Sequence, residues 1–121
     1  MIFTKKDYID IEGEKIPVKF NMKVFHQFTQ ETGVPFFEYI KGLGDGDLLN
    51  ANTTALIYYA LTEGHRIEGK EMPFSREDVD GIDVEYVVPF IEKLTTNIQK
   101  LGNGQTAQLQ AEANKKRKVK A

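Results

Sequence analysis

The segment Ile11–Gly33, IEGEKIPVKFNMKVFHQFTQETG, changes its hydrophobic period in the middle, and that change decides the fold. Before Asn21, the residues Ile16, Val18 and Phe20 alternate with Pro17 and Lys19, the two-residue repeat of a strand with one buried face. After it, Met22, Phe25, Phe28 and Thr29 recur at helical spacing, with Asn21 placed to cap the helix and Gly33 to stop it. Upstream, Tyr8-Ile9-Asp10-Ile11 is a second β-branched and aromatic run, joined to Lys15–Phe20 through Glu12-Gly13-Glu14. Residues 7–20 therefore read as a β-hairpin. Pro17 has no N–H to donate, which places its strand at an edge or paired on one side.

The remainder reads as helices. Pro35 can open a short one whose apolar side is Phe36, Phe37 and Ile40, and Gly42-Leu43-Gly44-Asp45-Gly46-Asp47 reads as a loop on composition. A third helix is expected from Asn52 or Thr53 to about Glu63, with Leu56, Ile57, Ala60 and Leu61 inward and Gly64 ending it. His65–Pro73 then reads as an exposed connection. Ser75 and Asp78 have the spacing of a capping box for a short helix that Gly81 closes. Asp83 then starts the last helix, with Ile82 and Val87 at staple positions and a stripe of Tyr86, Val87, Phe90, Ile91, Leu94, Ile98 and Leu101. Pro89 predicts a kink or a start delayed to Val88. Gly102-Asn103-Gly104 ends the stripe.

The expected architecture is α+β and mainly α. An N-terminal hairpin precedes a compact bundle of about four to five helices, one domain over 1–104. Residues 105–121 form a polar, basic tail, mobile or conditionally helical, in which Leu109 is the single large apolar residue before the basic cluster.

Composition narrows the function. Hydrophobic residues make up 40% of the 121 and charged residues 28%, values ordinary for a folded domain. The absence of cysteine rules out disulfides, thiolate nucleophiles and Cys-based zinc sites. The longest apolar run, Ala55–Leu61, falls far short of the roughly 20 residues that cross a bilayer, and residues 1–6 have no signal-peptide character. The expectation is a soluble, cytoplasmic protein without a membrane partner.

Charge is segregated. The last ten residues hold five bases (Lys115, Lys116, Arg117, Lys118 and Lys120) against one acid, and the first 111 hold 11 bases against 17 acids, or −6. An acidic body with a basic tip is a poor nucleic-acid-binding fold. The basic cluster lacks the interleaved aromatics that read bases, which leaves weak phosphate contact, solubilisation or docking on an acidic partner.

No residue set completes a catalytic or metal constellation. A metal site needs clustered ligands such as paired His at helical spacing, and neither His26 nor His65 has such a partner. The pair Asp45-x-Asp47 resembles the start of a calcium loop, but Leu49 occupies the fifth position and no closing Glu follows. Gly42, Gly44 and Gly46 lie among acids that repel phosphate, with no Lys-Ser/Thr pair. The acids from Glu63 to Glu85 are explained by helix N-termini and solvation, and Ser75 by capping. No enzyme activity, metal or cofactor is expected.

The order of parts carries a resemblance. The hairpin with IEGEKIPVKF runs into NMKVFHQFTQETG, and after it come NTTALIYYALTEG, the acidic FSREDVDGID and the helix VEYVVPFIEKLTTNI. Over Asp7–Leu101 this resembles the tail assembly chaperones of long-tailed, siphovirus-like phages and prophages. The resemblance implies a protein that binds the tape measure protein, keeps it soluble, recruits tail tube subunits and is absent from the mature virion. It also implies that a frameshift can add a second domain, and the Lys115-Lys116 codons could supply an adenine tract for it. Self-association is compatible with this role. Another small phage structural protein, for tail completion or head–tail joining, is the main alternative, and a DNA-binding regulator using the basic tail the weaker one. The candidate partner-binding residues are Phe36, Phe37 and Tyr39, on a segment too short to bury all three, and Tyr58 and Tyr59, of which at least one should face outward.

Overall fold

The computed structural model describes residues 3–47 and 49–102. Its elements run β1 (Tyr8–Ile11), β2 (Glu14–Pro17), α1 (Met22–Thr32), α2 (Phe36–Gly44), α3 (Ala51–Glu68), α4 (Arg76–Asp80) and α5 (Val84–Gly102). The architecture is thus mainly helical with an N-terminal antiparallel hairpin, as the change of period predicts. Two compact units divide the chain after Phe90. The first holds the hairpin, α1 to α4 and the start of α5, and the described part of the second is the continuation of α5.

The hairpin pairs Tyr8 with Pro17, Ile9 with Ile16, Asp10 with Lys15 and Ile11 with Glu14. Its turn is two residues long. Glu12 (φ 54°) and Gly13 (φ 81°) are both left-handed, the conformation whose twist matches the strands. The second strand ends at Pro17, three residues earlier than the alternation to Phe20 suggests. Beyond it Val18 N–H still reaches Asp7 O at 3.1 Å, but Lys19 N–H donates to Ala60 O of α3 at 3.0 Å. The chain has exchanged a strand for a helix as its neighbour.

That neighbour explains a helix longer than expected. Gly64 does not end α3, which continues to Glu68 and is closed by a left-handed Gly69. A Cβ on Gly64 would lie 2.4 Å from Val18 N and 2.6 Å from Pro17 C. The glycine is there to let the backbone leaving the hairpin press against the helix. His65, expected in an exposed loop, is consequently buried within α3, its Nδ1–H donating to Leu61 O at 2.7 Å. Tyr8 OH donates to Glu68 Oε1 at 2.9 Å, and Lys6 Nζ lies 3.4 Å from Oε2, which fix the hairpin to the end of the same helix.

Caps mark the helix starts. Asn21 accepts from Val24 N–H, and Asn50, a few residues upstream of the expected start, accepts from Thr53 N–H. Ser75 and Asp78 form the reciprocal capping box. The glycines of α2 are helical up to Gly44, so the predicted loop begins only at Asp45, whose N–H still reaches Lys41 O and Gly42 O. α5 starts at Val84 and runs through Pro89, so the delayed start at Val88 does not occur.

The core is built from Val18, Val24, Phe28, Leu56, Ile57 and Phe90, all nearly inaccessible. Leu56, Ile57, Ala60 and Leu61 do point inward on α3, and Val87 and Phe90 on α5. The face of α1 differs from the expected one: Val24 and Phe28 are buried one turn apart, whereas Met22 is 64% exposed and Thr29 faces water. Among the described residues no helix is long and apolar enough to cross a membrane.

Candidate partner-binding surface

The aromatics of α1 and α2 separate into buried and exposed sets. Phe25 stacks on Phe36 with centroids 4.0 Å apart, and Phe28 meets Phe36 edge-on at 6.0 Å and Tyr39 at 5.0 Å. Tyr39 is only 5% exposed, its hydroxyl paired with Thr53 Oγ1 at 2.8 Å. Burial pushes its phenol pKa up. Tyr39 therefore belongs to the core and not to a docking surface, because α3 supplies a polar partner that lets the whole side chain be enclosed. Phe36 is half-buried in the same cluster. Phe37, one residue on and about 100° around the helix, is 88% exposed.

Tyr58 and Tyr59 are both half-buried, in a T-shaped pair 5.7 Å apart. Neither projects freely. Tyr59 OH donates to Glu31 Oε1 at 2.7 Å, and Arg76 grips both oxygens of Glu31 at 2.7 Å while its guanidinium lies 5.5 Å from the Tyr58 ring. This cluster joins α1, α3 and α4. The Arg76 guanidinium holds the Glu31 carboxyl down at about 2, against an ordinary 4.5. The two tyrosines form one wall of a polar tie. The basic cluster Lys115, Lys116, Arg117, Lys118 and Lys120 lies outside the described residues.

The exposed apolar surface is larger than the sequence-selected residues. Met22, Leu49, Val84 and Val88 join Phe37 in facing water. A shallow concavity of about 490 Å³ is lined by Leu49, Asn50, Thr54, Arg76, Ile82 and Val84. A second, of about 200 Å³ and mostly apolar, opens between the hairpin and α4, with Ile11, Ile16, Leu61, Val79, Ile82 and Phe90 as its walls. Phe74 and Asp78 stand at its edge with Tyr86, whose hydroxyl donates to the Glu12 carboxylate. That acceptor raises the Tyr86 phenol to about 12.

No family model, curated protein or solved structure matches the chain.

The second cleft is the part that sequence reasoning missed. Its signal lies in the alternation of Tyr8-Ile9-Asp10-Ile11, which places Ile9 and Ile11 on one hairpin face with Ile16, the cross-strand partner of Ile9. What alternation cannot supply is the opposing wall, because Phe74 falls between the connection His65–Pro73 and the capping box at Ser75, outside any periodic pattern. Among the described residues no group of three or more His, Asp or Glu side chains is placed to hold a metal ion. Glu63 is 2% exposed, with one oxygen bonded by Arg66 and Oε2 without a hydrogen-bond partner among the described residues.

Proposed function

We propose that the chain is a tail assembly chaperone of a long-tailed phage or prophage, binding the tape measure protein, keeping it soluble and recruiting tail tube subunits in the host cytoplasm until the tube displaces it. The observation that carries this reading is the exposure of large apolar side chains on an otherwise well-built helical body, Phe37 on α2 foremost, at 88%. A small domain that holds a long amphipathic partner needs apolar contact surface on rigid helices and no reactive group. The element order, hairpin first and then helices with an acidic segment before the last, supports the reading through its resemblance to that family.

The test begins with the gene. Downstream of it the reading requires a very long open frame with helical heptads, and an overlapping frame at a slippery adenine tract supports it further. Co-expression with that long protein should then keep it in the supernatant, and Phe37→Ser should weaken this while leaving the helical circular dichroism unchanged. Detection of the chain as a stoichiometric component of purified particles would favour a tail completion or joining role and overturn the chaperone reading.

A further inference from the structure

The cleft between hairpin and α4 has a charge environment unlike the rest of the body. Residues 8–17 and 74–86, the two segments that supply most of its lining, contain eight acids against Lys15 and Arg76, a net −6. The first 111 residues also sum to −6, from 17 acids and 11 bases. The whole net charge of the body is therefore carried by the two segments around this cleft, and the rest of it sums to zero. All eight acids are solvent-exposed. Of the two bases Arg76 is already engaged by Glu31, and Lys15 stands opposite Asp10 in the ladder, on the hairpin face away from Ile11 and Ile16.

Of these acids Asp78 lines the cleft and Glu12 meets its edge through Tyr86, and between them the surface is apolar. Val79 and Phe90 form the floor and are nearly inaccessible, Ile11, Ile16 and Ile82 are half-buried, and Phe74 at the edge is 38% exposed. A cavity of roughly 150 Å³ accommodates benzene. One of about 200 Å³ thus takes a leucine or phenylalanine side chain. The bond from Tyr86 to Glu12 ties the hairpin turn to the start of α5, so the opening is held by structure on both sides.

We propose that this cleft docks a lysine- or arginine-rich segment of another protein, which inserts one large apolar side chain between the hairpin and α4. The apolar insertion supplies the desolvated contact, while the exposed carboxylates of the two segments attract and orient the cationic flanks. This rests on the partner-binding reading above and names the chemistry of the segment bound.

The probe is a fluorescein-labelled 12-residue lysine-rich peptide with one central Phe, titrated against the full chain by anisotropy. Two further peptides replace that Phe by Ser or every Lys by Glu. The expected result is saturable binding of the first peptide, weakened at least tenfold by Phe→Ser and by raising salt from 50 to 200 mM (on the order of the loss for several charge contacts), and no binding of the glutamate peptide. Phe74→Ser at the cleft edge, and the pair Glu77→Lys with Glu85→Lys at exposed positions of the segments that line it, should each reduce binding at least tenfold with unchanged circular dichroism. Equal binding of the Phe and Ser peptides, or no binding of either, overturns the proposal. So does a concentration-dependent dimer in sedimentation that Phe74→Ser abolishes, which would assign the cleft to a second copy. If the edge variants still keep the long downstream protein in solution, the chaperone reading stands and the cleft proposal alone falls.

Discussion

An alanine at Gly64 gains on helix propensity and loses on space, and the two effects can be compared. In an open helix interior the change from glycine stabilises by about 1 kcal/mol. Here the added carbon meets Val18 N, Val18 Cα and Pro17 C at 2.4–2.6 Å, all backbone, so no flexible side-chain end can yield. Overpacking of this kind costs about 1–3 kcal/mol or more. Gly64→Ala should therefore lower the unfolding free energy by about 2 kcal/mol net of propensity, read from the urea midpoint at unchanged m. Gly44→Ala, at a position with nothing within 4 Å, should be neutral or slightly stabilising. Glu31 gives a pH prediction of definite sign. Its folded-state pKa of about 2 lies below the ordinary 4.5, so its stabilisation is complete above about 4.5 and is lost as pH falls toward 2. With both partners about a third exposed, screening limits it to about 1 kcal/mol. Unfolding free energies at pH 6 and pH 3, from urea titrations, should differ less for Glu31→Gln than for the parent by roughly half of that amount, since pH 3 lies inside the window.

Among the elements, α4 is the most dependent on its ends. Five residues cannot sustain a helix in water, and its box, Ser75 to Asp78 N–H and Asp78 to Ser75 N–H, supplies partners for two of the donors that a helix start leaves over. Ser75→Ala should cost about 1 kcal/mol; a difference below 0.3 kcal/mol, roughly the resolution of such a comparison, would show that packing of Val79 alone holds the element. This box was legible in the sequence, as were Asn21, Gly33, Gly81 and the inward face of α3, because each is a local signal in which side chain and backbone lie within four residues. The failures share a cause as well. Gly64 reads as a stop on local grounds and is overruled by a backbone from another part of the chain. Gly42 and Gly44 read as loop and stay helical to Gly44. Tyr39 reads as exposable until Thr53, fourteen residues away, provides its partner. The candidate surface was legible only in Phe37; the cleft depended on which strand faces which helix, and no period encodes that.

Taken whole, the molecule places its hairpin as a dependent part. A two-stranded ribbon is marginal by itself in water, and this one is completed from outside by Ala60, Gly64 and Glu68 of α3. A peptide of residues 7–20 should accordingly show no cross-strand nuclear Overhauser effects in water. The order of synthesis turns this into a matter of timing. The ribosome releases the hairpin first and the helix that completes it considerably later, so for an interval the nascent chain presents Ile9, Ile11 and Ile16 with no wall to lie against. Chains arrested with only α1 and α2 outside the exit tunnel should be cut by protease near residues 12–13, and chains arrested after α3 has emerged should not. The glycine that lets strand exit and helix touch also sets the earliest moment at which the amino-terminal segment becomes safe from degradation and from its neighbours on a polysome.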